Sequence, residues 1–112
     1  MELTEQTADS CTILSIDGRL DTANYGVLEA KLTDLLARGH ARILLDCSKL
    51  DYVSSSGLRV FLTGLKKVTA AQGKFVLCSL QENIQEIFEI SGFSGIFEIH
   101  PGREQALTSF SG

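Results

Sequence analysis

Two short, wholly apolar runs, Ile43-Leu44-Leu45 and Phe75-Val76-Leu77-Cys78, constrain this chain more than anything else in it. Each is too short for a helix and shows no polar alternation, the pattern of a strand covered on both faces. Between them lies a segment of helical period. It begins near Ser55, carries Leu58, Phe61, Leu62, Leu65 and Val68 as its apolar stripe, turns Arg59, Thr63, Lys66 and Lys67 to solvent, and stops at Gly73. Buried strands joined through helices belong to a largely parallel sheet with helical crossovers.

The flanking sequence extends this pattern. Leu3 to Ala8 and Cys11 to Asp17 read as two strands of a hairpin, with Asp9-Ser10 as the turn. Tyr25, Leu28, Leu32, Leu35 and Leu36 predict a first helix ending at Gly39. Ile84, Ile87, Phe88 and Ser91 predict a third, stopped by Gly92, after which Ile96 to Ile99 reads as the last strand. Pro101 to Ser111 reads as a short closing helix carrying Ala106, Leu107 and Phe110. The expected architecture is a single α/β domain over residues 1–112, a mixed but mostly parallel sheet flanked by about four helices.

Charge and composition narrow the function. The 112 residues carry a net charge of −4 and no basic face, which argues against nucleic-acid binding. No apolar run approaches the ~20 residues of a membrane span, and Met1-Glu2-Leu3-Thr4-Glu5 lacks the basic start and apolar centre of a signal peptide. The expected location is cytoplasmic. Cys11, Cys47 and Cys78 are odd in number, far apart and set among apolar residues, as buried reduced thiols would be. His40 and His100 read as loop residues without a second ligand nearby.

Catalytic constellations are missing. There is no glycine-rich phosphate loop, dinucleotide fingerprint or His-Glu-x-x-His, and no base placed to activate a serine. Asp46 ends a strand, as a receiver's phosphoacceptor would, but Asp17 and Asp21 are spaced too far apart to make a magnesium-holding pair beside it. The reading is a non-enzyme with no catalytic residue, cofactor or metal.

What remains is Ser54-Ser55-Ser56-Gly57, where a buried strand hands over to the second helix. One hydroxyl there caps the helix. Only one residue can hold the cap position, so a cap does not account for three serines. A phosphoserine adds about −1.5 to −2 charges, which a helix N-terminus favours by ~0.3–1 kcal/mol. A partner's acidic surface at the same spot would not tolerate it: like charges 4 Å apart repel by ~4 kcal/mol at an effective dielectric of 20. Such a site suits switching an interface while leaving the domain intact.

Asp46-Cys47-Ser48-Lys49-Leu50-Asp51-Tyr52-Val53-Ser54-Ser55-Ser56-Gly57-Leu58 resembles the signature of STAS domains, and among them the anti-sigma factor antagonists. Gly18-Arg19-Leu20-Asp21 resembles the family's Gly-x-Leu-Asp loop after the second strand, and Ser91-Gly92-Phe93 with Ile96-Phe97 its C-terminal pattern. The resemblance runs from about Leu3 to Phe110. It implies a regulator whose unphosphorylated form binds an anti-sigma factor, a serine kinase of the GHKL ATPase type, and is released on phosphorylation; a PP2C-type phosphatase reverses the step. Carried over by position, the acceptor is Ser55. Asp21, Ser54, Ser56, Gly57 and Arg59 join it in the partner surface, Arg59 as a contact for partner or phosphate. The family usually has Asp immediately before the acceptor, where this chain has Ser54. The alternative implied by the same resemblance is a permanent, unphosphorylated interaction subunit of a transporter or signalling complex.

Overall fold

The computed structural model describes residues 1–8 and 10–111. In chain order the elements are β1 (Glu2–Thr7), β2 (Thr12–Leu20), α1 (Tyr25–Ala37), β3 (Arg42–Val53), α2 (Ser55–Ala70), β4 (Lys74–Cys78), α3 (Glu82–Ile90), a single 3-10 turn (Phe93–Gly95), β5 (Glu98–His100) and α4 (Arg103–Phe110). One five-stranded sheet has the order β1-β2-β3-β4-β5. β1 runs antiparallel to β2, and every later pairing is parallel. This is the mixed, mostly parallel sheet with four helices that the apolar runs demand. Asp9, half of the expected turn, lies outside the described residues.

The two faces of the sheet are covered unequally. On one, Leu14, Ile16 and Leu20 of β2, Ile43, Leu45, Cys47, Leu50 and Val53 of β3, and Phe75 and Leu77 of β4 pack under α1, α2 and α3. On the other, Cys11, Ile13, Leu44, Val76 and Cys78 are capped by Ala106 and Phe110 of α4, the one helix on that face, with Leu107 and Ala8 at the margin. The three cysteines are free and buried, and burial pushes their thiols up from the ordinary range.

The structure departs from expectation in five places. β2 continues to Leu20, so Gly18-Arg19-Leu20 is strand and the loop starts only at Asp21; fully buried Leu20 is what extends it. β3 runs on through Val53 instead of ending near Asp46. The buried face of α2 is Gly57, Val60, Phe61, Gly64 and Val68, with Leu58, Leu62 and Leu65 only partly buried at its margin. Two glycines on that face bring the helix axis close to its neighbours: a Cβ at Gly64 would lie 3.0 Å from Leu32 Cδ1 of α1.

The last strand is Glu98–His100 instead of Ile96–Ile99. The 3-10 turn leaves Ile96 exposed and swings Phe97 into an aromatic cluster, with ring centroids 5.6 Å from Phe88, 5.7 Å from Phe93 and 6.4 Å from Phe75. His100 therefore belongs to β5, where its Nε2 sits 2.7 Å from Glu98 Oε2. Finally, α4 begins at Arg103, after Pro101 and Gly102.

Candidate functional site

The serine run stands at the C-terminal end of β3, and its three hydroxyls are not equivalent. Ser54 has extended backbone and is the N-cap of α2: its Oγ accepts from the Gly57 amide at 3.2 Å, and its carbonyl accepts the Leu58 amide at 2.9 Å. Ser55 opens the helix and is exposed; Ser56 is half-buried. The cap thus takes the hydroxyl of Ser54 and leaves that of Ser55 facing solvent. Gly57 is buried because the chain crosses over two core residues here. A Cβ at 57 would lie 2.8 Å from Val53 Cγ2 and 2.9 Å from Leu20 Cγ. Without a side chain at 57, α2 starts directly on the sheet.

Asp21 is brought to the same place by backbone pairing. Leu20 and Val53 are the last rung between β2 and β3, and the Ser54 amide donates to the Leu20 carbonyl at 2.9 Å. The β2–α1 loop and the start of α2 are therefore stitched together one residue before Asp21 and one before Ser55. Asp21 holds its own loop: Oδ1 accepts from the Ala23 amide at 3.0 Å, while the Asp21 amide donates to Asn24 Oδ1 at 2.9 Å. Asn24 returns a bond from Nδ2 to the Arg19 carbonyl at 2.8 Å. These reciprocal side-chain bonds make a rigid turn.

Arg59 is exposed, one turn along α2 from Ser55 and on the same side of the helix. No acidic residue lies in the first turn of α2. Two residues that lie within the recognised motifs, but were not expected in the surface, complete it. Arg19 and Tyr52 are partners across β2 and β3, with the guanidinium 4.0 Å from the ring centroid and its Nε 3.7 Å from Asp21 Oδ2. Their signal lay in strand register, which no local motif carries.

Asp46 is not part of this surface. Its carboxylate is buried and closed off by Arg103, whose Nε donates to Oδ2 at 2.9 Å and whose Nη2 lies 2.7 Å from the same oxygen as an ion pair, while Oδ1 accepts from the Ser48 amide at 3.0 Å. Burial alone would raise its pKa; the Ser48 amide and the Arg103 guanidinium outweigh it and hold the carboxyl below its ordinary range. Asp46 is a fastening for α4. Among the described residues no cluster of His, Cys, Asp or Glu could hold a metal, and no helix is long and apolar enough to cross a membrane.

The STAS domain family pattern matches residues 2–106. This chain belongs to the STAS domain family. It is 42% identical over 110 residues to a candidate anti-sigma factor antagonist of Bordetella bronchiseptica, BtrV, covering 98% of this chain and 95% of that one. In structure it is similar to a candidate anti-sigma factor antagonist of Thermotoga maritima, with a TM-score of 0.94, 22% identity and coverage of 98% and 95% of the two chains. It also resembles the Bacillus cell fate determinant SpoIIAA in its phosphorylated form, with a TM-score of 0.76, 19% identity and coverage of 96% and 98%. Both likenesses are of fold alone.

Proposed function

We propose that this STAS domain is an anti-sigma factor antagonist that works by partner switching in the bacterial cytoplasm. Its unphosphorylated form binds a GHKL-type anti-sigma serine kinase through Asp21, Ser54 to Gly57 and Arg59. Phosphorylation of Ser55 releases it, and a PP2C-type phosphatase restores it. The observation that carries the reading is the division of labour between adjacent hydroxyls: Ser54 caps α2, while Ser55 stands exposed at the first helical position with no carboxylate in that turn. A phosphate on Ser55 would meet the positive end of the helix and have Arg59 one turn away, so the domain itself accommodates it. An acidic partner group 4 Å away would be repelled by ~4 kcal/mol at an effective dielectric of 20. At ~1.4 kcal/mol per decade of affinity, that weakens the complex by two to three orders of magnitude.

Incubation with the cognate kinase and ATP, followed by peptide mapping, tests this. The expected result is a single phosphate on Ser55, lost in Ser55→Ala, with that variant still binding the kinase. Absence of phosphate from Ser54 to Ser56 would sink the reading.

A further inference from the structure

β3 reaches Ser54 by an irregular path. Between the rungs Ser15–Asp46 and Asp17–Lys49 it carries one residue more than β2, and between Gly18–Leu50 and Arg19–Tyr52 it carries another. These are two bulges on one strand, and a bulge bends its strand and re-aims the side chains beyond it. The core records them. β2 sends Leu14, Ile16 and Leu20 inward at even spacing, whereas β3 sends Leu45, then Cys47, Leu50 and Val53. Without the bulges, Lys49 and Asp51 would point into the core, and Leu50 would point out of it.

Bulged backbone loses ladder partners, and here the shortage is doubled. β4 pairs with β3 only as far as the rung Asp46–Cys78, so the far edge of residues 47–53 has no strand beside it. Its polar groups need other partners. α3 and the residue that caps it supply them from side chains: Gln81 Nε2 donates to the Ser48 carbonyl at 3.0 Å, and Asn83 Nδ2 donates to the Asp51 carbonyl at 3.1 Å. Ser48 and Asp51 are the residues at the two bulges. Ser79, in the left-handed region at φ 63°, turns the chain from β4 into the segment that carries Gln81 and Asn83 to this edge.

We infer that Gln81 and Asn83 are positioning residues for Ser55. Two side-chain amides take the place of a missing strand, fix both bulges, and so determine where β3 ends and where α2 presents its first hydroxyl. The inference rests on the reading of Ser55 as acceptor for its functional meaning; its geometry stands on the bonds alone.

The test uses Gln81→Glu with Asn83→Asp, which keep size but replace the donors by charged acceptors, and Gln81→Met with Asn83→Leu, which remove them without adding charge. Amide hydrogen exchange followed by NMR is the readout, since local opening shows at the affected amides alone. Both double variants are expected to speed exchange at Ser54, Gly57 and Leu58 tenfold or more while leaving Ile43 to Leu45 unchanged. Rates at Ser54 and Gly57 within twofold of wild type would overturn the inference. So would a uniform rise across both halves of β3, the mark of general destabilisation; the single variants carry the same comparison if a double variant does not fold. A purified serine kinase, chosen because it phosphorylates wild-type Ser55, adds a second reading. Its kcat on the double variants is expected to fall by about tenfold or more through misplacement of the hydroxyl, and an unchanged kcat would overturn the inference. If no kinase modifies wild-type Ser55, the partner-switching reading fails, while hydrogen exchange still decides whether the amides position the helix start.

Discussion

The two halves of β3 are held by different physics. Arg42 to Asp46 is paired on both sides, with β2 and with β4, and its apolar residues are buried on both faces of the sheet. Cys47 to Val53 is paired with β2 only, is bulged twice, and relies on Gln81 and Asn83 along its open edge. The first half combines ladder bonds on both edges with burial on both faces, so its position is set many times over. The second is stabilised by a few directional bonds, each of which fixes a particular atom. A surface that must present one hydroxyl in one place is better built on the second kind of support, with the first kind anchoring it.

Substitutions can separate these supports, and the largest effect belongs to the regular half. Leu45 is fully buried against the helices, so Leu45→Ala is expected to cost ~2–5 kcal/mol through lost burial and a residual cavity, read as a lower Tm and denaturation midpoint. Asp46 marks the junction. Asp46→Asn weakens charge-assisted bonds to Arg103 that are part-exposed on the arginine side, for an expected loss of about 1.5–3 kcal/mol at neutral pH.

That loss depends on pH, with a definite sign. The folded carboxyl titrates below its unfolded value of ~3.9, so its stabilisation is complete above that pH and fades as pH falls through the lower, folded value. Thermal melts of wild type and Asp46→Asn should converge as pH drops below about 4; a constant gap would show that the carboxylate's charge is not what fastens α4.

The smallest effects lie at the site and distinguish neighbouring hydroxyls. Ser54→Ala removes the helix cap and should cost ~1 kcal/mol, whereas Ser55→Ala, at an exposed position without a bond, should stay within ~0.5 kcal/mol. Equal losses in paired denaturant titrations would contradict the assignment of the cap to Ser54 alone.

The same contrast decides what could be read from the sequence. Ile43-Leu44-Leu45 and Phe75 to Cys78 announced the sheet because burial on both faces leaves an unmistakable apolar run. The second half of β3 was hidden: its bulges change the inward spacing from two residues to three, so Ser48-Lys49 and Asp51-Tyr52 look like loop. The helix face of α2 was legible only in part, Phe61 and Val68 being buried as expected and Leu58, Leu62 and Leu65 lying at its margin, for a related reason. Gly57 and Gly64 on that face leave no room for a side chain and count for nothing in an apolar stripe, while the leucines that dominate the pattern sit at the margin. The serine cluster and Asp21 were legible as a motif. Which serine holds the cap was not, because three identical side chains in a row differ only in backbone geometry.

Ser54 also changes the meaning of the position where the resemblance leads one to expect Asp. Both residues are good helix caps, so the exchange preserves the start of α2 and alters only its charge. With Asp there, a phosphate arriving next door would join a negative charge already present and would make that end more negative only by degree. With Ser54, and no acidic side chain in the first turn, the helix itself contributes only its positive end and Arg59 there. On the proposed reading, a kinase writing on Ser55 would add about −1.5 to −2 charges there, so a reader of this surface would distinguish positive from negative instead of less from more negative.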